Sequence, residues 1–168
     1  CTNANKLGVV EAVNFNSPGQ VVIAGETRAV NLACELMKEA GAKRALILPV
    51  SVPSHCSLMK DAAMEFKHSV ETINFQIGSE KVLHNVDADY SSNTEEITSK
   101  LVEQLYKPVL WTSIVKKMKD SGVEKIIEVG PGKVLTGLTK RIDKSLTGSA
   151  IIDVTSLKSN IEEISNAK

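Results

Sequence analysis

The chain has 168 residues, 42% of them hydrophobic, and its 20 Lys and Arg balance its 20 Asp and Glu to a formal net charge of 0. That length supports a substantial core, as one domain or as part of a larger one. Even charge, with no basic run interleaved with aromatics, argues against nucleic acid or a membrane as partner, and no apolar run approaches the roughly 18 residues a spanning helix needs.

The first strong pattern is a pair of β-rich runs, Val9–Phe15 and Gln20–Gly25, around the turn-forming "NSPG", which predicts a hairpin. Val30, Ala33, Leu36, Met37 and Ala40 then recur at helical spacing from Thr27 to Ala40, with Gly41 as the stop. "KRALILPV" (43–50) reads as a buried strand. Strand, strand, helix, strand is the later part of a ferredoxin-like β-α-β-β-α-β unit without its opening strand and helix. On this reading residues 1–50 are a partial small subdomain, and the outer edge of Val9–Phe15 is left unpaired and prone to association.

Past Pro53 the period becomes helical: Leu58, Met59, Ala62, Ala63, Phe66 and Val70 predict a helix to about residue 70. "NFQI" (74–77) and "KVLHNV" (81–86) are short strand candidates. In "SNTEEITSKLVEQLY" a helix is expected, with Ser92 and Glu95 at capping-box spacing and Pro108 as the break. Trp111, Ile114, Val115 and Met118 line the next helix up to Gly122, and "KIIEV" is a strand. After the "GPG" turn, Val134, Leu135, Leu138 and Ile142 are expected to face inward from another helix; "AIIDV" and "SLKSNIEEI" repeat strand and helix. Such alternation predicts a three-layer α/β body with parallel strands.

Cys1, Cys34 and Cys56 are odd in number and far apart, which fits neither a disulfide framework nor a zinc site. They read as intracellular thiols, with Cys56 a small apolar filler, and the location expected is cytoplasmic. A chain that opens on Cys1 is expected to be processed or a piece of a longer protein; the first case admits an N-terminal cysteine hydrolase, although such nucleophiles begin a strand and "CTNANKLG" resembles a loop. "EVGPGKVLTG" fails the P-loop spacing, since Val134 follows Gly132-Lys133 and Ile127 stands where the first Gly belongs. Acidic pairs such as Asp87 and Asp89 lack metal-ligand spacing, so no metal site is expected. His68 reads as exposed and His84 as packed.

His55 has a different setting, between a predicted strand end and a predicted helix. Pro53 fixes its own φ and forces Val52 to be extended, so the chain is aimed just before the histidine. A pre-organised base and an ordinary structural histidine are both compatible with these residues.

"VNFNSPGQVVIAG", "LPVSVPSHCSLM", "QLYKPVLWT" and "EVGPGKVLTGLTKRI", in this order from Asn14 to about Ile142, resemble the bacterial malonyl-CoA:acyl carrier protein transacylases of type II fatty acid synthesis. The resemblance implies an α/β-hydrolase-like acyltransferase body, with residues 51–168 as its C-terminal part and a ferredoxin-like small subdomain beside it. It implies ping-pong transfer from malonyl-CoA to the phosphopantetheine thiol of acyl carrier protein, without a cofactor. It makes His55 the base, the backbone carbonyl of Gln104 the group that orients its ring, and Asn16 a substrate-side residue. No G-x-S-x-G occurs in the 168 residues. In the family the serine elbow, the malonate-pairing arginine and an oxyanion glutamine lie in the N-terminal half, so a missing N-terminal segment of the same protein is an expected partner. None of Ser51, Ser54 and Ser57 lies in an elbow between glycines. A non-catalytic binding module that kept the fold is the alternative.

Overall fold

A computed structural model of the protein describes residues 1–166. By packing they form two compact units, Cys1–Asn16 with Gln20–Trp111, and Ser17–Gly19 with the chain from Thr112 onward.

In the first unit a 3-10 turn, Thr2–Leu7, precedes the expected hairpin, β1 (Val10–Ser17) and β2 (Gln20–Gly25). Helix α1 (Thr27–Glu39) packs on the 3-10 turn through Ala4, Val10, Ala29 and Ala33, with Ile23, Val30 and Leu36 around them. The small alanines let the backbones approach closely. Beyond α1, Gly41 (φ 88°) donates to the Lys38 carbonyl and Ala42 to that of Met37, a Schellman stop that needs the left-handed residue.

The strand expected at 43–50 does not form. Its backbone finds no ladder partner among the described residues, and Val50 N–H turns back to the Leu48 carbonyl at 2.8 Å. Leu46 and Val50 are 72% and 73% exposed, and Ile47 and Leu48 are exposed beside them. An apolar run specifies a wish to be buried; a strand needs a neighbour to supply its hydrogen bonds.

The next prediction stands: a 3-10 turn at Ser57–Met59 runs into α2 (Lys60–Val70), which buries Ala63 and Val70. The two short strand candidates that follow do not form strands. Only an isolated bridge, Leu83 to Tyr90, is made in 74–90, because Asp87 accepts the Asp89 N–H at 3.0 Å and turns the chain. Helix α3 spans Thr94–Glu103 and packs on α2. Its cap is one residue later than the expected Ser92/Glu95 pair: Asn93 Oδ1 accepts Glu96 N–H at 2.8 Å, while the Glu96 carboxylate reaches back to the Ser92 N–H and hydroxyl. Asn is as good a cap as Ser, so local spacing leaves both registers open. The β1 edge is also not bare, since Val109 accepts from Phe15 N–H at 2.9 Å and donates to the Val13 carbonyl at 2.8 Å.

In the second unit α4 (Trp111–Asp120) leads to β3 (Lys125–Val129), α5 (Val134–Ile142), β4 (Thr147–Ile151) and α6 (Val154–Asn166). β3 and β4 are parallel, in register from Lys125 opposite Thr147 to Val129 opposite Ile151, with α5 as the crossover packed on both. Among the described residues this parallel sheet has two strands. Val134 and Leu135 do not face inward: they open α5 and are 70% and 37% exposed, while Leu138 and Thr139 fill the buried face. The last strand lies three residues before the expected Ala150–Val154 because Asp153 and Ser156 cap α6, with Asp153 Oδ1 accepting Ser156 N–H at 2.7 Å. At the same, C-terminal end of the sheet, Glu128 accepts both the N–H and the hydroxyl of Thr136 at 2.8 Å, which ties β3 to α5 across the glycine turn.

Candidate active site

The site lies in the first unit, where the segment after Pro53 meets the end of α3. Helix α3 stops at Glu103, so the carbonyls of Gln104 and Leu105 have no helical N–H to accept. His55 takes both. Its backbone N–H donates to the Leu105 carbonyl at 2.9 Å, and its ring Nδ1 lies 2.5 Å from the carbonyl oxygen of Gln104. A carbonyl can only accept, so that contact puts the proton on Nδ1 and leaves Nε2 with its lone pair.

Two successive carbonyls at a helix C-terminus also present the negative end of the α3 dipole to His55. Gln104 itself is held in helical geometry (φ −62°, ψ −18°) by its N–H bond to the Lys100 carbonyl, 3.0 Å long, so the acceptor is fixed by the helix.

His55 has φ 64°, in the left-handed region that a residue with a Cβ rarely adopts. Such a conformation persists where surrounding contacts over-determine it. Before it, Ser54 N–H donates to the Val52 carbonyl at 2.9 Å; after it, Cys56 N–H donates to that of Pro53 at 3.2 Å. Cys56 is fully buried, and burial pushes its thiol up, consistent with apolar filler and not with a nucleophile. Ser57 is anchored from β1: Glu11 accepts its N–H at 2.8 Å and its hydroxyl at 2.7 Å.

Of the residues singled out in the sequence, the structure thus brings together His55 and the Gln104 carbonyl. Asn16 is half-buried near the end of β1, next to Phe15, whose N–H is bonded to Val109, and no hydrogen bond joins it to His55 or Gln104 among the described residues. His84 lies elsewhere, with Nε2 2.8 Å from Ser91 Oγ. Burial pushes its imidazole below the usual histidine range and the Lys100 charge adds to this, while Asp87 and Glu96 oppose it. Sequence reading missed Glu11, Leu105 and Val109. Two of them act through main-chain atoms, which leave no residue signature; only Glu11, an acid inside a β-rich run, carried one.

No group of acidic, histidine and cysteine side chains suited to a metal ion is present among the described residues.

No family model matches the chain. Individual proteins do. The chain is 53% identical over 97% of its length to a malonyl CoA-acyl carrier protein transacylase of Haemophilus influenzae, of which it covers 52%. It superposes with TM-score 0.92 and 55% identity on an acyl carrier protein S-malonyltransferase from Vibrio cholerae, covering 95% of itself and 52% of that chain. A malonyl-transacylase in complex with a type II polyketide acyl-carrier protein gives TM-score 0.94 and 49% identity, at 97% and 53% coverage. The chain therefore spans about half the length of the curated relatives it matches, and its fold is that half of an α/β malonyltransferase. Across nearly all of its residues, the chain is a homologue of the malonyl-CoA:acyl carrier protein transacylases and corresponds to the C-terminal half of their sequence.

Proposed function

We propose that this chain supplies the histidine half of a malonyl-CoA:acyl carrier protein transacylase. The observation that carries the reading is the Nδ1 contact of His55 with the Gln104 carbonyl, which leaves Nε2 as a base of fixed direction. The nucleophile, a serine in a G-x-S-x-G elbow, belongs to a part of the protein outside these 168 residues. Nε2 takes the serine proton as the hydroxyl oxygen attacks the malonyl thioester. The tetrahedral adduct then expels coenzyme A, whose sulfur receives that proton, and malonyl-serine remains. In the second half, Nε2 takes the proton of the phosphopantetheine thiol as its sulfur attacks malonyl-serine. Collapse returns that proton to the serine, and malonate leaves on acyl carrier protein. The partial negative charge of the α3 terminus stabilises the transient imidazolium in the place where other triads use a carboxylate.

Residues 1–50 are assigned to the small subdomain, with Asn16 on the substrate side, and residues 51–168 to the large one. The exposed apolar stretch from Leu46 to Val52 supports a larger assembly, because it is a strand-like run without a ladder partner among the described residues. Its partner on this reading is the elbow-bearing remainder of the same protein. No helix among the described residues is long and apolar enough to cross a membrane.

The test is His55→Ala in the full-length protein, followed by coenzyme A release and malonyl transfer to acyl carrier protein. Acylation should slow by at least about 100-fold, the usual scale for a general base. Near-normal turnover would end the assignment.

A further inference from the structure

We propose that Glu11 is a positioning residue for this transfer: from β1 it grips Ser57 and holds the backbone beyond His55, so that the ring stays on the Gln104 carbonyl. The inference rests on the His55 reading above and names a group outside the base and its acceptor.

The segment at His55 must be held on both sides of a left-handed residue. On the near side are Pro53, whose carbonyl accepts from Cys56, and Leu105, whose carbonyl accepts the His55 N–H. On the far side the 3-10 turn at Ser57–Met59 begins at Cys56 without any side-chain cap of its own. Glu11 supplies that cap from 46 residues away, one carboxylate oxygen on the Ser57 N–H and the other on its hydroxyl. A bidentate grip fixes direction as well as distance, and ionised acceptors make the stronger bonds. Burial acts to push the Glu11 carboxyl up, but the two Ser57 bonds, with help from the Cys56 thiol and the Lys60 charge, hold it below the usual range. The group is therefore an anion at neutral pH.

The same strand carries Asn16 and, through Val13 and Phe15, is stitched to Val109 a few residues beyond the Gln104 carbonyl. Glu11 therefore closes a frame: β1 holds the residues after His55, and the α3 end holds His55 itself. Without the grip the turn can relax from φ 64° toward an unstrained conformation, and Nε2 leaves its line. Displacing a catalytic group by about 1 Å costs on the order of 100-fold in rate.

The experiment uses the full-length transacylase, with Glu11→Ala, Glu11→Gln, Ser57→Ala, the Glu11→Ala/Ser57→Ala pair and His55→Ala, measured well below the melting temperature. Glu11→Ala is expected to lower kcat about 10- to 100-fold with the KM for malonyl-CoA little changed. Its His55 Nδ1–H resonance, read by 15N-histidine NMR, should broaden or shift. Glu11→Gln should recover most of the loss, because an amide oxygen still accepts the Ser57 N–H. Ser57→Ala should cost less than Glu11→Ala, and the pair no more than Glu11→Ala alone, since both act on one contact. A Glu11→Ala enzyme of lower melting temperature but wild-type kcat and His55 resonance would overturn the inference. Should that variant fail to fold, Ser57→Ala with wild-type rate and resonance overturns it equally. Full activity in His55→Ala would instead bring down the functional reading beneath it.

Discussion

The left-handed backbone at His55 makes an unusual demand on stability. With φ 64°, a residue bearing a Cβ is strained by about 1–2 kcal/mol relative to glycine. His55→Ala keeps that strain and loses the ring bond to Gln104. His55→Gly loses the same bond and releases the strain, against about 0.4–1 kcal/mol for the greater freedom of glycine in the unfolded chain. The glycine variant is therefore expected to be the more stable of the two by about 0.5–1 kcal/mol, the reverse of the usual order for these residues. For a protein of this size that margin raises the melting temperature by roughly 1–4 °C, and urea unfolding should show it as a higher midpoint at equal slope. Placed in the full-length protein, both variants should lack transfer activity, so stability and function separate at one position. An alanine variant that melts above the glycine variant would refute the claim that His55 is held against its backbone preference.

Gln104→Ala should leave kcat/KM of the full-length enzyme within about threefold, because the acceptor is a main-chain carbonyl and alanine keeps the helical geometry there; a loss comparable to His55→Ala would show that the side chain acts. Asn93→Ala removes the acceptor of Glu96 N–H and should cost about 1 kcal/mol in urea unfolding, with hydrogen exchange rising first at the start of α3. The Glu128 carboxyl, which burial would push up, is held below its ordinary value of 4.5 by the Thr136 N–H and hydroxyl. A depressed folded value contributes stability that is complete above the ordinary value and is lost as pH falls through the folded one. Glu128→Gln should accordingly flatten the stability profile as pH falls below the ordinary carboxyl value, as read by denaturant midpoints. The 168-residue chain alone is expected to transfer no malonate, since it has no serine elbow; turnover by the purified chain would contradict this.

Where an element's bonds close within a few residues, its pattern was legible. "NSPG" between β-branched runs forced a hairpin, the spacing of Ala33 and Leu36 forced a helix, and Gly41 and Gly122 could end helices because only glycine enters the left-handed turn freely. Pro53 likewise announced that the chain is aimed at His55. Burial of the apolar run at 43–50 was a different matter: periodicity states what a segment can bury, and whether it becomes a strand depends on a neighbour that no local pattern specifies. For the same reason the chemistry at His55 was only half readable. An imidazole has a letter in the sequence, but the carbonyls of Gln104 and Leu105 that orient it are main-chain atoms common to every residue, and the Glu11–Ser57 grip joins positions 46 apart. Which acceptors stand unsatisfied is decided by where α3 ends, and which carboxylate reaches Ser57 by where the fold places β1; both are properties of the folded chain.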